Sequence, residues 1–108
     1  MNWVIKYTEQ ARMDIRKIYE YISYVLLVPE TAQKQVQRIF KAIRSLGNMP
    51  LIHKLYDEVK WGSQGLRALP VDNYMIFYIV KENENAVWII RVIYGGRNIE
   101  KQLNETDI

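Results

Sequence analysis

The chain has 108 residues, no cysteine and one histidine, and its fifteen Lys and Arg against twelve Asp and Glu give a formal charge of +3. This length suits one small domain, and a hydrophobic content of 49% excludes a wholly disordered chain. Without cysteine there is no disulfide framework or thiolate metal site, and one histidine argues against a histidine-rich one. No apolar run is long enough for a membrane helix, and the N-terminus lacks a signal-peptide pattern, so we expect a cytoplasmic protein with no metal and no membrane association.

The positive charge is concentrated in the middle third of the chain. Residues 31–67 contain seven basic and two acidic side chains, a local balance of +5. The basic residues are Lys34, Arg38, Lys41, Arg44, Lys54, Lys60 and Arg67. Such a patch attracts phosphate or an acidic protein, and the alternative is an ordinary solvated helix face.

The first half of the sequence predicts a strand and two helices. Residues 2–7 alternate as a strand does, and Thr8 is a plausible N-cap for the helix that follows. Pro29 ends this helix and can start the next, while Gly47 and Pro50 end the second. The apolar stripes of the two helices are Ala11, Ile15, Ile18, Ile22 and Leu26, and Ala32, Val36, Ile39, Phe40, Ile43 and Leu46.

The second half predicts mainly strands. A loop over 51–65, with a short strand near Tyr56–Val59, leads to a strand over Leu66–Leu69 that ends at Pro70. Strands are then predicted over Asn73–Val80 and Ala86–Tyr94, joined by a turn at 82–85, with a short helix over 98–104. In Asn73–Val80 one face carries Tyr74, Ile76, Tyr78 and Val80, and the other Met75, Phe77 and Ile79.

The order of elements defines an α+β fold. An N-terminal strand precedes a helical hairpin, and an antiparallel β-meander follows, with the helices packed on one face of the sheet. The second apolar face of the sheet needs a cover, from aromatic side chains, the C-terminal segment or a partner. Arg91 is the only charge in its strand, so we expect it to pair with a carboxylate inside the protein or to face a ligand.

Nearly the whole chain resembles the RelE/ParE superfamily of bacterial toxins from type II toxin–antitoxin systems. The similarity rests on the β-α-α-β-β-β order and on three strings: residues 11–22, the first helix; 65–78, the second and third strands; and 90–99, the last strand with the residues after it. The resemblance implies a single toxin domain over 1–108. It also implies a cognate antitoxin, expected as an extended, partly helical segment that wraps the sheet and the basic surface, folds on binding and covers the apolar strand face.

Three positions depart from the usual pattern of these toxins. Met75 stands where an arginine often follows the tyrosine of the third strand, and Gly96-Arg97 replaces an arginine pair. No tyrosine follows Tyr94, although RelE-like nucleases often carry one near the C-terminus.

By resemblance, the favoured activity is metal-independent, ribosome-dependent cleavage of mRNA, without a cofactor. Arg67 and Arg97 match the positions expected to stabilise charge on the phosphate, and Tyr94 takes the place where many members have histidine. His53 has a suitable intrinsic pKa, and Lys54 and Lys60 are candidate phosphate contacts. Each of these residues also has a non-functional interpretation: the arginines as ordinary surface or turn residues, Tyr94 as a packed side chain, and the lysines as solvated charges.

Two other functions fit the same resemblance. One is a ParE-like toxin that poisons DNA gyrase by binding to it, and the other is an inactive module that only binds an antitoxin. The partners would be the ribosome and mRNA in the first case and gyrase in the second. The nuclease hypothesis requires Arg67 and Arg97 to converge on one concave site, and the others do not.

Overall fold

The computed structural model describes residues 2–56, 59–96 and 98–106, except for the side chains at 59 and 60. Strand β1 spans Val4–Tyr7, helix α1 Glu9–Glu20, and helix α2 Pro29–Ser45. Helix α3 spans Val59–Gly62, strand β2 Leu66–Val71, strand β3 Tyr74–Lys81, strand β4 Ala86–Tyr94, and helix α4 Ile99–Asn104. A π-helical turn, Tyr21–Val25, extends α1, and a 3-10 turn, Glu82–Glu84, joins β3 to β4.

The four strands form one mixed sheet in the order β1-β4-β3-β2. The pairs β2–β3 and β3–β4 are antiparallel, as the meander predicted, whereas β1 pairs parallel to β4. The parallel pair is possible because the hairpin of α1 and α2 makes a long crossover from β1. The α+β class predicted from the sequence is therefore confirmed.

The helical hairpin covers one face of the sheet. The core on this side combines Ala11 and Ile15 of α1 and Ile39 and Ile43 of α2 with Ile76, Tyr78, Val87, Ile89 and Val92 of the sheet. The face of β3 predicted from its alternation is the face that lies here. The starts of the two helices also follow the prediction, since Thr8 Oγ1 accepts from the Ala11 amide at 3.1 Å and Pro29 is in the first turn of α2.

The opposite face of the sheet is covered by the chain itself. Trp61 of α3 and Leu103 of α4 are 4% and 0% exposed, and they pack with the buried strand residues Leu66, Phe77, Ile79, Ile90 and Ile93. The sequence predicted that aromatic side chains, the C-terminal segment or a partner would cover this face, and the aromatic Trp61 and the C-terminal helix α4 do so. In the described chain this face therefore has a cover of its own, and contact of an antitoxin with it stays a prediction.

Several predicted boundaries need correction. Strand β2 continues through Pro70 to Val71, which an edge strand permits because no neighbour needs the missing amide. The short strand predicted near Tyr56–Val59 is a single bridge between Leu55 and Arg67 followed by α3, with residues 57 and 58 outside the described part of the chain. Strand β1 begins at Val4, two residues later than predicted.

The ends of the hairpin helices also differ from prediction. Leu26 leaves the buried stripe and is 52% exposed, because the π-helical turn rotates the residues that follow it. Gly47 follows the end of α2 without a left-handed backbone, since Gly65 is the only described glycine with positive φ. Instead its carbonyl accepts from the Trp3 amide at 2.8 Å, and a Cβ at this position would lie 3.2 Å from the Arg44 carbonyl oxygen.

Candidate functional site

The predicted site residues fall into two separate regions of the described structure. Arg67, His53 and Lys54 lie together near the start of β2, whereas Tyr94 lies at the end of β4. Arg97 and the side chain of Lys60 lie outside the described part of the chain. The sequence alone gave no sign of this division.

The first region is the segment over residues 50–55, which we call the 50–55 loop. Arg67 Nη1 donates to the carbonyl oxygen of His53 at 2.5 Å, and Tyr78 Oη donates to the carbonyl oxygen of Pro50 at 2.7 Å. The ring of His53 meets the ring of Tyr78 edge-on, with centroids 6.3 Å apart. Arg67 and Tyr78 therefore hold this loop against the sheet through its backbone carbonyls.

Burial and charge act in opposite directions on Tyr78. Its side chain is fully buried, which raises its pKa to about 12, while the nearby Arg67 guanidinium lowers that value in part. Near neutral pH the hydroxyl is therefore a hydrogen-bond donor with no tendency to ionise. Sequence reasoning had placed Tyr78 only in the core and had missed its hold on the loop.

The second region is a groove of about 660 Å³ between the helical hairpin and the ends of β3 and β4. Its walls are mainly apolar, from Ile18, Tyr21, Ile22, Leu26, Val28, Tyr74, Ile93 and Tyr94. The rings of Tyr74 and Tyr94 meet at 5.7 Å between centroids, and burial is the main reason that the pKa of Tyr74 is raised. We call this space the hairpin groove.

Tyr94 packs against its own neighbours at the mouth of the hairpin groove. It is 45% exposed, and a Cβ at position 96 would lie 2.5 Å from Tyr94 Cε2. Gly96 therefore makes room for the tyrosine ring. The close approach at Gly96 is therefore an internal contact.

Strand register separates Tyr94 from Arg67. Tyr94 lies opposite Tyr74 on β3, and Arg67 lies opposite Tyr78 on the other side of that strand. Four positions along a strand correspond to roughly 13 Å, and the two residues are also two strands apart. In the described structure the two side chains are not gathered at one place, and each is engaged with neighbours of its own.

Arg91 is also held inside the protein. Its Nε and Nη2 donate to the two carboxylate oxygens of Asp14 at 2.6 and 3.0 Å, and its Nη1 donates to Thr106 Oγ1 at 2.9 Å. The internal carboxylate expected from the sequence is therefore Asp14. Both side chains line the hairpin groove, but their charges neutralise each other.

A line of basic side chains follows the exposed surface of α2. Lys34, Arg38, Lys41 and Arg44 recur at intervals of four, three and three residues, which places them along one side of the helix. We call this set the basic stripe. Arg38 Nε pairs with Asp72 at 2.7 Å, whereas no carboxylate in the described part of the chain lies within ion-pair distance of the other three. Three of the four charges in the basic stripe are therefore not neutralised by an ion pair within the described part of the chain.

Two negative findings concern the described residues. None of the helices there is long and apolar enough to span a membrane. No group of three or more His, Asp and Glu side chains in residues 2–56, 59–96 and 98–106 is placed to hold a metal ion.

Residues 5–99 match the family model described as the ParE toxin of the type II toxin–antitoxin system, parDE. Because this match covers most of the sequence, the chain belongs to that family and is a type II toxin of the RelE/ParE superfamily. No curated protein matches it significantly. The predicted superfamily is thus confirmed.

Solved structures share the fold. The chain superposes on the chromosomal ParDE system from P. aeruginosa with a TM-score of 0.71 and 24% identity over 85% of this chain and 95% of that one. The superposition on a mutant E. coli RelE toxin in the free state has a TM-score of 0.67 and 15% identity, over 94% of this chain and 93% of that one. For the RelBE2 toxin–antitoxin complex of Mycobacterium tuberculosis the TM-score is 0.59 and the identity 21%, over 87% of this chain and 99% of that one. These likenesses concern the fold.

Proposed function

We propose that this toxin acts by binding a target protein, DNA gyrase, and that it does not cleave mRNA. The observation that carries the proposal is the separation of Arg67 and Tyr94, the two predicted catalytic residues that the structure describes, since Arg97 lies outside the described part of the chain. Arg67 holds the 50–55 loop, while Tyr94 lies against Tyr74 and Gly96 at the far end of the sheet. Cleavage needs a charge-stabilising group and a proton donor at the same phosphate. This reverses the order of preference that the sequence suggested.

The membership in the ParE toxin family supports the same choice. A toxin that acts by binding needs an exposed recognition surface and no aligned acid and base. The described surface offers such areas in the hairpin groove and in the apolar residues around it.

We also propose that a cognate antitoxin binds the basic stripe. Both faces of the described sheet are already covered by the chain itself, which favours another surface for a neutralising segment. Lys34, Lys41 and Arg44 have no described carboxylate partner, and an acidic segment laid along α2 would satisfy them. Such a segment would fold as it binds.

Two assays on purified toxin test the proposed target. In the first, toxin is mixed with DNA gyrase, ATP and relaxed plasmid, and supercoiling and cleaved DNA are measured. In the second, mRNA 5′ ends are mapped in a reconstituted translation reaction with and without ribosomes. We expect gyrase inhibition and intact mRNA.

The Arg67→Ala variant separates the two mechanisms further. Binding to gyrase should survive this change in protein that remains folded, because Arg67 is assigned to the 50–55 loop. Arg16→Ala, the same change at an exposed position of α1, is the matched control. Ribosome-dependent mRNA ends that disappear only in Arg67→Ala would replace our proposal with the nuclease. Activity in neither assay would favour a module that only binds an antitoxin.

A further inference from the structure

The connection between α1 and α2 presents an unusual apolar surface. Residues 21–28, which we call the hairpin tip, contain no charged side chain. Six of these eight residues are between 42% and 75% exposed, and only Ile22 and Ser23 are buried. The six exposed residues are Tyr21, Tyr24, Val25, Leu26, Leu27 and Val28.

The backbone of the hairpin tip is held in an uncommon shape. A π-helical turn precedes Leu27, which has a φ of 60° and a side chain that is 75% exposed. The Leu26 amide donates to the Tyr21 carbonyl at 3.0 Å, and the Val28 amide donates to the Ile22 carbonyl at 3.1 Å. A left-handed backbone normally carries glycine or asparagine, and strained backbone and π-helical turns concentrate at functional sites. Here the strained position carries an exposed leucine.

The size of the hairpin tip bears on what can cover it. With about half of six large side chains exposed, its apolar area is on the order of 600 Å². That is at the upper end of the patches found on monomers, but a stable interface needs about 800 Å² from each partner. The tip is therefore too small to hold two copies of the chain together by itself. It suits the central anchor of a larger interface with another protein.

The charges around the hairpin tip identify the chemistry of that protein. Residues 18–33 contain no Lys or Arg and two exposed acidic residues, Glu20 and Glu30. Two copies meeting at their tips would bring four carboxylates together. An acidic antitoxin segment finds one cation beside the tip, Lys17 in the hairpin groove, whereas the basic stripe that begins at Lys34 offers several. A complementary surface has an apolar depression bordered by Lys and Arg, as expected on an enzyme that handles DNA.

We infer that the hairpin tip is the surface with which the toxin engages its target, an apolar depression bordered by basic side chains on another protein. The inference rests on the proposed function, action by binding, and adds the element that binds. It also separates two surfaces, the tip for the target and the basic stripe for the antitoxin. Tyr24 and Leu27 are the expected anchors, because they are the two most exposed side chains of the tip.

The test uses Leu27→Asn and Tyr24→Gln, with Met49→Gln as the control. Asparagine accepts a positive φ, so Leu27→Asn removes the apolar side chain without disturbing the turn. Met49 is 60% exposed and follows the far end of α2, which is about 25 Å long. Folding is checked by circular dichroism and thermal unfolding. Binding to immobilised gyrase, binding to the antitoxin and growth arrest on induction in cells are then measured.

We expect both tip variants to bind gyrase on the order of tenfold more weakly and to lose growth arrest, with antitoxin binding unchanged. Met49→Gln should match the wild type throughout. Folded tip variants that still arrest growth would overturn the inference whatever the target is. Loss of antitoxin binding would assign the tip to that interface, and a tip-dependent dimer in sedimentation would assign it to a second copy. If growth arrest depends on the hairpin tip but the toxin does not bind gyrase, the tip is still the surface that engages the target, and the target is not gyrase.

Discussion

Arg91 on β4 and Asp14 on α1 are 77 residues apart in sequence and form a two-point ion pair, at 2.6 and 3.0 Å, beyond the end of β1. A bulge in the β3–β4 pairing precedes Arg91, and the Val92 amide donates to Asp14 Oδ2 at 2.9 Å. The Asp14 carboxylate thus accepts a hydrogen bond from a β4 amide that lies beyond the reach of β1, whose pairing ends at Ile89. Arg91 also reaches Thr106 and the Gln102 carbonyl, so the pair connects α1, the sheet and the C-terminal segment.

Removal of Asp14 should be strongly destabilising. Its side chain is 13% exposed and that of Arg91 is 10%, so Asp14→Ala leaves a nearly buried cation unpaired and should cost about 3–5 kcal/mol of unfolding free energy. Urea denaturation measures this change. In the double variant Asp14→Ala/Arg91→Met, part of the loss should return because no buried charge remains. A loss below about 1 kcal/mol in the single variant would contradict the role assigned to the pair.

The Tyr78 hydroxyl should stabilise the 50–55 loop. Tyr78→Phe removes the bond to the Pro50 carbonyl and should cost about 1 kcal/mol. Amide hydrogen exchange in residues 50–55 should become faster, while the helical hairpin keeps its protection. Tyr19→Phe, at a residue 36% exposed on α1, is the control and should leave both properties unchanged. Unchanged exchange in the loop of the Tyr78 variant would show that Arg67 alone holds it.

The raised pKa of Tyr78 predicts a loss of stability in alkali. The unfolded phenol ionises near 10.0 and the folded one at about 12, so the folded state retains the proton in this interval. The contribution of the protonated Tyr78 hydroxyl to the unfolding free energy is fully present below pH 10 and is lost as the pH rises towards 12. The unfolding free energy should fall more steeply across this interval in the wild type than in Tyr78→Phe. Equal slopes in denaturant titrations of the two proteins would contradict the assignment.

The basic stripe should govern antitoxin affinity. The change Lys34→Glu/Lys41→Glu should weaken binding of the cognate antitoxin by at least about tenfold, because attraction becomes repulsion on an exposed face of α2. The effect should shrink in high salt, since exposed charges are screened. Calorimetric titration at low and high salt gives both results. Lys101→Glu on α4, on the other side of the sheet, is the control, and an equal loss there would indicate only net charge.

Local patterns in the sequence predicted much of the fold. The alternation of β3 identified which face each side chain occupies, and Thr8 and Pro29 marked helix starts. These features depend on neighbours within a few residues, so a single sequence contains them. The sequence also showed two unusual placements of charge, a single arginine, Arg91, in an apolar strand and an excess of basic residues in the middle third of the chain.

The site was less predictable because it depends on contacts between distant segments. Arg67 and Tyr94 were both candidates for one site, yet strand register places Tyr94 beside the first residue of β3 and Arg67 beside the middle of that strand, on its other side. The apolar stripe of the first helix predicted Leu26 as buried, because the sequence gave no sign of the π-helical turn.

By itself, the sequence determined the α+β class, the faces of β3 and the superfamily, since period, caps and local strings are properties of short segments. Only the tertiary structure decided that β1 lies parallel to β4, that Asp14 is the partner of Arg91 and that Tyr78 holds Pro50. The physical reason is that each of these depends on the register and packing of segments far apart in the chain, which short-range spacing does not encode.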